Sequence, residues 1–342
     1  MQLSVGGLRF ASSLARLLPP VMTDGAARAL SSVYARRAPT ERLTVERNLR
    51  RVYAMPIERS AGVVGGSGSV GRPAGHVLPG DAPITEAELL RKVQRVFDHY
   101  AAYWVDSLRL PHLSVDEVDR RFTYEGLEHL MVPMRQGKGV VAGLPHLGGW
   151  EWATRWLVEV QGLRVVAAVE RLEPPELYQW FLEYRRDELG MQVVPVGPTA
   201  AAELTAALAA GSILALMCDR DLTGDGIEVE FFGERTQLPG GPALLSLRSG
   251  FPLVPVGIFF EGDHHHHHAV VLPALDTQRR GRLRADVERV TQDLAHALEQ
   301  LICRDPEQWH VLQPNWPSDF DAIGAPRPVW AQLDRVEQRP TA

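Results

Sequence analysis

The sequence predicts an α/β fold: a mostly parallel central sheet flanked by helices as a sandwich, with membrane-associating helices at the amino end. Three observations lead there. From residue 122 onward, short apolar runs alternate with segments of helical periodicity, the order that builds βαβ units. The run at 212–218 is apolar almost throughout, as a strand buried on both faces requires. The chain has 342 residues, 45% hydrophobic and 23% charged, which suffices for a sizeable core.

Taken in order, residues 1–60 read as a helical segment. Leu8, Ala11, Leu14, Ala15 and Leu18 share one stripe, and Arg28, Arg36, Arg37, Arg42, Arg47, Arg50 and Arg51 follow. An apolar stripe with a basic flank suits a helix lying on an anionic bilayer, and it equally suits a core-packing helix. Arg9 and Arg16 interrupt what would otherwise resemble a signal peptide. Residues 61–83, rich in Gly, Ser and Pro, read as a flexible loop. Its Gly65-Gly66-Ser67-Gly68-Ser69 lacks the final glycine and the preceding strand of a hydrolase elbow. Residues 84–320 form the main domain and 321–342 a tail.

That domain opens with a helix over 86–108, started by a Thr85/Glu88 capping box. Its aromatic stripe of Phe97, Tyr100, Tyr103 and Trp104 reads as core. Helices are expected over 125–137, 150–160, 175–189, 200–210, 241–249 and 286–303, the last with Val287, Val290, Leu294 and Leu298 inward. Strands are expected over 139–144, 163–169, 191–196, 212–218, 227–232 and 253–260. His264 to His268 falls where a hairpin tip belongs and predicts a solvated loop. Five consecutive histidines cannot all face one ion, and no zinc spacing occurs elsewhere, so no metal site is expected.

Charge and cysteines narrow the function. A net charge of −6 argues against general nucleic-acid binding. Cys218 and Cys303 form no redox or metal spacing, as in a reduced compartment. No apolar run reaches the roughly 18 residues of a membrane span.

The polar clusters sit where strands end, and open α/β sheets bind ligands there. His146 leaves the first strand after Pro145, and Glu151 follows at His-x4-Glu spacing. Glu170 and Arg171 end the next, and Asp219-Arg220-Asp221 ends the strand at 212–218. Glu183-Tyr184-Arg185-Arg186 lies on the intervening helix. A neutral imidazole takes a proton from a hydroxyl, and a carboxylate on its other nitrogen fixes the tautomer. The turn at Gly148 and Gly149 is expected to bring Glu151 back under the ring. A histidine base, acidic partners and arginines suit acyl transfer from a phosphate-bearing thioester to an alcohol. No Walker or dinucleotide loop is present.

An ordered set of motifs then carries a resemblance. Leu144-Pro145-His146-x-Gly148-x-Trp150-Glu151 comes first, followed by Val169-Glu170-Arg171-Leu172-x-Pro174, Glu183-Tyr184-Arg185 and Asp219-Arg220-Asp221-Leu222-Thr223. Phe231-Phe232-Gly233-Glu234-x-Thr236-x-x-Pro239-x-Gly241-Pro242-Ala243, Phe260-Glu261-Gly262 and Trp309-His310-x-Leu312-Gln313-Pro314-x-Trp316 complete it. Over roughly residues 90 to 320 the chain resembles the actinobacterial phosphatidylinositol mannoside acyltransferases, within the superfamily of lipid A-type and glycerolipid acyltransferases. The resemblance implies a peripheral enzyme on the cytoplasmic face of the plasma membrane. It would move a long acyl chain from acyl-CoA, its co-substrate, to a mannose hydroxyl of a phosphatidylinositol mannoside, with no cofactor. It implies His146 as general base, Glu151 as the acidic member of the His-x4-Asp/Glu pair, Asp219 at the position of a glutamate that pairs with the histidine, and Arg185 near the thioester, so that two acids compete for His146. Glu170, Arg171, Arg220 and the backbone at Gly148 and Gly149 are candidates for substrate binding.

The chain departs from the mannoside pattern by Gly149 and Glu151 in place of Asn and Asp, and by Asp219 in place of Glu. Because Asp is the shorter acid, the sequence leads to the expectation that Glu151→Gln costs more than Asp219→Asn. Alternative readings are acylation of another glycolipid or lysophospholipid, a thioester hydrolase, or a non-catalytic lipid-binding homologue.

Overall fold

The computed structural model describes residues 20–55, 84–170, 174–221, 223–262 and 264–335. The stripe at 8–18, the loop at 61–83 and Arg171 lie outside them. Among the described residues two helices lead, α1 (Pro20–Arg37) and α2 (Pro39–Tyr53), and both pack on α3 (Glu86–Arg109). The capping box is present: the Thr85 hydroxyl accepts from the Glu88 N–H, and the Glu88 carboxylate accepts from the Thr85 N–H. Leu49, Leu89, Val96 and Phe97 fill the core that joins these helices.

After α4 (Val115–Arg120) the alternation begins: β1 (Phe122–Glu125), α5 (Glu128–Arg135), β2 (Val140–Leu144), α6 (Trp150–Arg155), β3 (Val165–Val169), α7 (Pro175–Glu183), β4 (Gln192–Pro195), α8 (Ala200–Ala209) and β5 (Ile213–Met217). Next come β6 (Ile227–Phe231), β7 (Glu234–Leu238), α9 (Gly241–Ser249), β8 (Leu253–Glu261), β9 (His266–Val271), α10 (Leu283–Arg304) and α11 (Pro317–Ala322). Seven strands form one sheet in the order β1-β9-β8-β2-β5-β3-β4. All neighbours are parallel except β8 and β9.

Period-two alternation sends Val141, Leu214 and Leu253 to the face covered by α8, α9 and α10. It sends Val140, Ala142, Ile213 and Val254 to the face covered by α4, α5 and α6. The predicted inward residues of α10, Val287, Val290, Leu294 and Leu298, are all buried.

Besides β1 and β7, which form where no strand was expected, the structure departs from the expectations in three places. The strand at 227–232 does not join the main sheet; β6 pairs antiparallel with β7 in a separate hairpin. The helices α6 and α7 do not run on unchanged. Each passes into a π-helical turn, Trp156–Val160 and Tyr184–Glu188.

The third departure is the histidine run: His264 and His265 lie in the β8–β9 hairpin tip as expected, but the run continues into the strand. His266–Val271 forms β9, and alternation turns His267 inward to zero exposure. There its ring stacks on Trp152 with centroids 4.2 Å apart, and its Nε2 lies 2.9 Å from the Asp106 carboxylate of α3. His265 reaches Asp24 of α1 at 3.0 Å. A carboxylate within reach on a neighbouring helix gives each ring a polar partner, which makes such burial tolerable.

Candidate active site

Strand pairing creates the site. β2 and β5 are parallel neighbours with Leu144 opposite Met217. His146 and Asp219 each lie two residues beyond that pair, so they leave the sheet side by side. His146 Nδ1 is 2.6 Å from Asp219 Oδ1, and the His146 backbone N–H donates to Asp219 Oδ2 at 2.9 Å. The Trp309 indole N–H donates to the same Oδ2 at 2.8 Å, and Asn315 Nδ2 donates to the Asp219 carbonyl at 2.9 Å. Asp219 is fully buried, while the His146 side chain is 37% exposed. With Nδ1 occupied, Nε2 is the ring nitrogen left for a reacting proton.

Burial alone would raise the Asp219 carboxyl. The adjacent His146 and the hydrogen bonds from His146 and Trp309 outweigh it, and the group sits below the usual carboxylate range. An ionised, immobile carboxylate on Nδ1 supports an imidazole that gains a proton at Nε2.

Glu151 is not under the ring. It points into the protein from the first turn of α6, where Tyr103 Oη donates to its Oε1 at 2.7 Å and Arg185 Nη2 lies 3.4 Å from the same oxygen. The turn does not bring Glu151 back to His146, and of the two competing acids Asp219 is the partner: adjacency of β2 and β5 decides it, and sequence proximity does not. Burial holds the Glu151 carboxyl above its ordinary range, against the Arg185 charge and the Tyr103 hydrogen bond. Arg185 lies in the second π turn, its guanidinium 5.1 Å from the Trp150 ring centre and 5.4 Å from that of Phe181. A π turn often marks a functional position, because it offsets side chains from the regular helical spacing.

The two glycines serve chiefly to fit the turn into place. Gly148 has φ +54°, and a Cβ there would collide with the Ile258 carbonyl of β8. A Cβ on Gly149 would meet the His267 ring at 2.6 Å. The Gly148 N–H donates to Gln308 O at 3.1 Å, so it is committed to the fold rather than to an oxyanion. Arg220 donates to Gln313 Oε1 at 2.7 Å, and Glu170 is exposed at the end of β3.

The sequence reading missed Trp309 and Asn315, although both lie within or beside the motif from Trp309 to Trp316. It also assigned Tyr100, Tyr103 and Trp104 to the core. Phe97 is core, Tyr100 and Tyr103 are half-buried and pack against the core, and Trp104 is half-buried. Tyr103 faces His310, and Trp104 faces Phe181. Among the described residues no group of three or more His, Cys, Asp or Glu is placed to hold a metal ion, and no helix is long and apolar enough to cross a membrane.

Comparison with known proteins matches residues 80–318 to the family model described as bacterial lipid A biosynthesis acyltransferase. The chain belongs to this acyltransferase family. A protein of Mycolicibacterium smegmatis named phosphatidylinositol mannoside acyltransferase is 36% identical over 310 residues, 90% of this chain and 89% of its own. One of the same name from Mycobacterium tuberculosis is 39% identical over 228 residues, 65% of this chain and 69% of its own. The resemblance carried by the motifs is thus shown over most of the chain. As a member of the lipid A biosynthesis acyltransferase family, the protein is an acyltransferase, and the span matched to the family contains the whole His146–Asp219 site.

Proposed function

We propose that the protein transfers a long acyl chain from acyl-CoA to a mannose hydroxyl of a phosphatidylinositol mannoside at the membrane surface. The observation that carries the chemistry is the His146–Asp219 pair, with Nδ1 held at 2.6 Å by a buried carboxylate. The acceptor follows from the names of the two relatives.

In the proposed step both substrates are bound together. His146 Nε2 takes the proton of the acceptor hydroxyl as its oxygen attacks the thioester carbon. The tetrahedral oxyanion collapses, the C–S bond breaks, and the thiolate leaves with the proton that His146 carries. An ester and a free thiol result, with no covalent enzyme intermediate. Arg185 is the cation we assign to the oxyanion or the donor's phosphates, because Glu151 and two aromatic rings hold it beside the site. Gly148 is withdrawn from that role.

Membrane association is supported by α1, where Met22, Ala26, Ala29, Leu30 and Val33 form one exposed stripe ending in Arg36 and Arg37. The proposed place is the cytoplasmic face, where coenzyme A thioesters are available.

Mass spectrometry of products from palmitoyl-CoA and a panel of acceptors tests the reading. A mannoside carrying one added palmitoyl group is expected. Acylation only of a lysophospholipid or a lipid A precursor refutes the acceptor and keeps the chemistry. Release of free palmitate with every acceptor makes the protein a thioester hydrolase.

A further inference from the structure

A second imidazole stands directly beside His146. Leu147 and Trp309 form an isolated antiparallel bridge, flanked by hydrogen bonds from His310 N–H to His146 O at 2.8 Å and from Gly148 N–H to Gln308 O at 3.1 Å. This pairing sets His310 opposite His146. Side chains at opposed positions of an antiparallel pair leave the same face, with Cβ atoms about 5 Å apart. The two imidazoles therefore project together from two segments far apart in the chain.

His310 is held by rings on three sides. Tyr100 and Tyr103 lie 5.7 and 5.6 Å away and Phe260 lies 6.5 Å away, centroid to centroid. Its Nε2 is buried and has no partner among the described residues. Such an atom costs stability unless something bonds it, about 1–3 kcal/mol by general experience. Burial, with the nearby His99 and His146, holds its pKa well below the ordinary imidazole range, so the ring is neutral near pH 7. It cannot act as a second cation. It can donate or accept one hydrogen bond.

Two more orphaned polar atoms surround the same tyrosine. Tyr103 touches His310 with its ring and Glu151 with its hydroxyl, and Glu151 meets Arg185. Glu151 Oε2 and Arg185 Nε are also buried without partners among the described residues. Three buried polar atoms thus lack partners along the series His310, Tyr103, Glu151 and Arg185, and His310 Nε2 is the one carried by the segment that pairs with His146. A simple alcohol brings one hydroxyl, which His146 uses. A sugar brings others on adjacent ring carbons.

We propose that His310 is a specificity-determining residue for the acceptor, its Nε2 hydrogen-bonding a second sugar hydroxyl beside the one that His146 deprotonates. The inference rests on the mannoside reading of the acceptor and goes further, since it names the group that reads the sugar. Tyr100 and Tyr103 set the angle of the ring, and the strand pairing to His146 fixes its distance from the base.

Steady-state kinetics of His310→Phe and His310→Gln with palmitoyl-CoA and a phosphatidylinositol mannoside test it, each variant first compared with the wild type by thermal melting. Loss of one neutral hydrogen bond corresponds to about tenfold in affinity. His310→Phe is expected to raise the acceptor KM by about tenfold, with a smaller change in kcat and in the donor KM. His310→Gln keeps an N–H and is expected to restore part of the loss. Acceptor KM within twofold of wild type in both folded variants overturns the proposal. So does a fall in kcat with unchanged acceptor KM, which would mean that His310 only steadies His146. The wild-type control separates the two readings. If it acylates a different glycolipid, the mannoside acceptor falls, and the same KM comparison on that glycolipid still decides His310.

Discussion

At the residue scale, the division of labour between two acids is the central result. Asp219 takes both its oxygens to His146, one through Nδ1 and one through the backbone N–H, and the Trp309 indole completes the set. Glu151 serves Arg185 and Tyr103 instead. The ranking expected from side-chain length is therefore reversed. His146→Ala should abolish transfer. Asp219→Asn should lower kcat by about 10²- to 10⁴-fold, because the amide no longer fixes the productive tautomer or balances the imidazolium. Glu151→Gln should cost less, acting through Arg185. A thioester-release assay on variants that melt normally ranks them, and a larger loss in Glu151→Gln would refute the assigned pair. The candidate residues themselves were legible, since His146, Asp219, Arg185 and Glu151 were all picked out from strand ends and one helix. Their pairing was legible only as a choice between Glu151 and Asp219, with the resemblance pointing to Asp219 and side-chain length to Glu151. It depends on β2 lying beside β5 although β3 and β4 intervene in the chain, and spacing along a sequence carries no such information.

At the scale of elements, apolar runs announced the parallel strands well, because strands covered on both faces must be apolar. β9 escaped, since an all-histidine start looks like a solvent-facing turn. Its apolar half, Ala269, Val270 and Val271, joins the core, and the carboxylates of Asp106 and Asp24, supplied by α3 and α1, meet His267 and the adjoining His265. The π turns escaped for a related reason: they depend on packing beneath α6 and α7, not on composition. α1 carries the element-scale prediction. Its inward face holds Asp24 against His265 and buries Ala27, Ser31 and Ala35. Its outward face leaves Met22 58%, Leu30 65% and Val33 44% exposed. Such a stripe, ending in two arginines, should rest on an anionic bilayer. Replacing Met22 and Leu30 together by Ser should weaken flotation with anionic vesicles, and raised salt should weaken it further. Binding equal to wild type would mean that α1 does not meet the membrane.

At the scale of the whole molecule, the interior holds titratable groups whose shifts oppose one another, and the balance fixes how stability depends on pH. Burial lowers His99 to about 4, with the nearby His264 adding to it. His264 and His310 are also lowered, again mainly by burial. An imidazole with a depressed folded pKa stays neutral in the fold while the unfolded chain takes up a proton, from about pH 6.5 downward. Stability must then fall as pH drops through that window. His265 is shifted the other way by its hydrogen bond to Asp106 and the charge of Asp24. Its contribution is complete below its unfolded pKa and is lost as pH rises through the folded value. It therefore cannot offset a decline between pH 6.5 and 4, whereas the Glu151 carboxyl, raised by burial, takes its proton in the fold first and opposes part of that decline against three lowered imidazoles. Asp106 and Asp219 lie below the usual carboxylate range, although burial pushes both up. Their contributions persist through this window and fail only as pH falls through their own depressed values. Melting temperature should accordingly drop between about pH 6.5 and pH 4, before the paired carboxylates begin to protonate. His99→Phe, which removes one neutral buried imidazole, should flatten the slope. Melting curves in a buffer series decide it: a constant or rising melting temperature toward pH 4 would mean that these imidazoles already reach solvent and ionise within the fold.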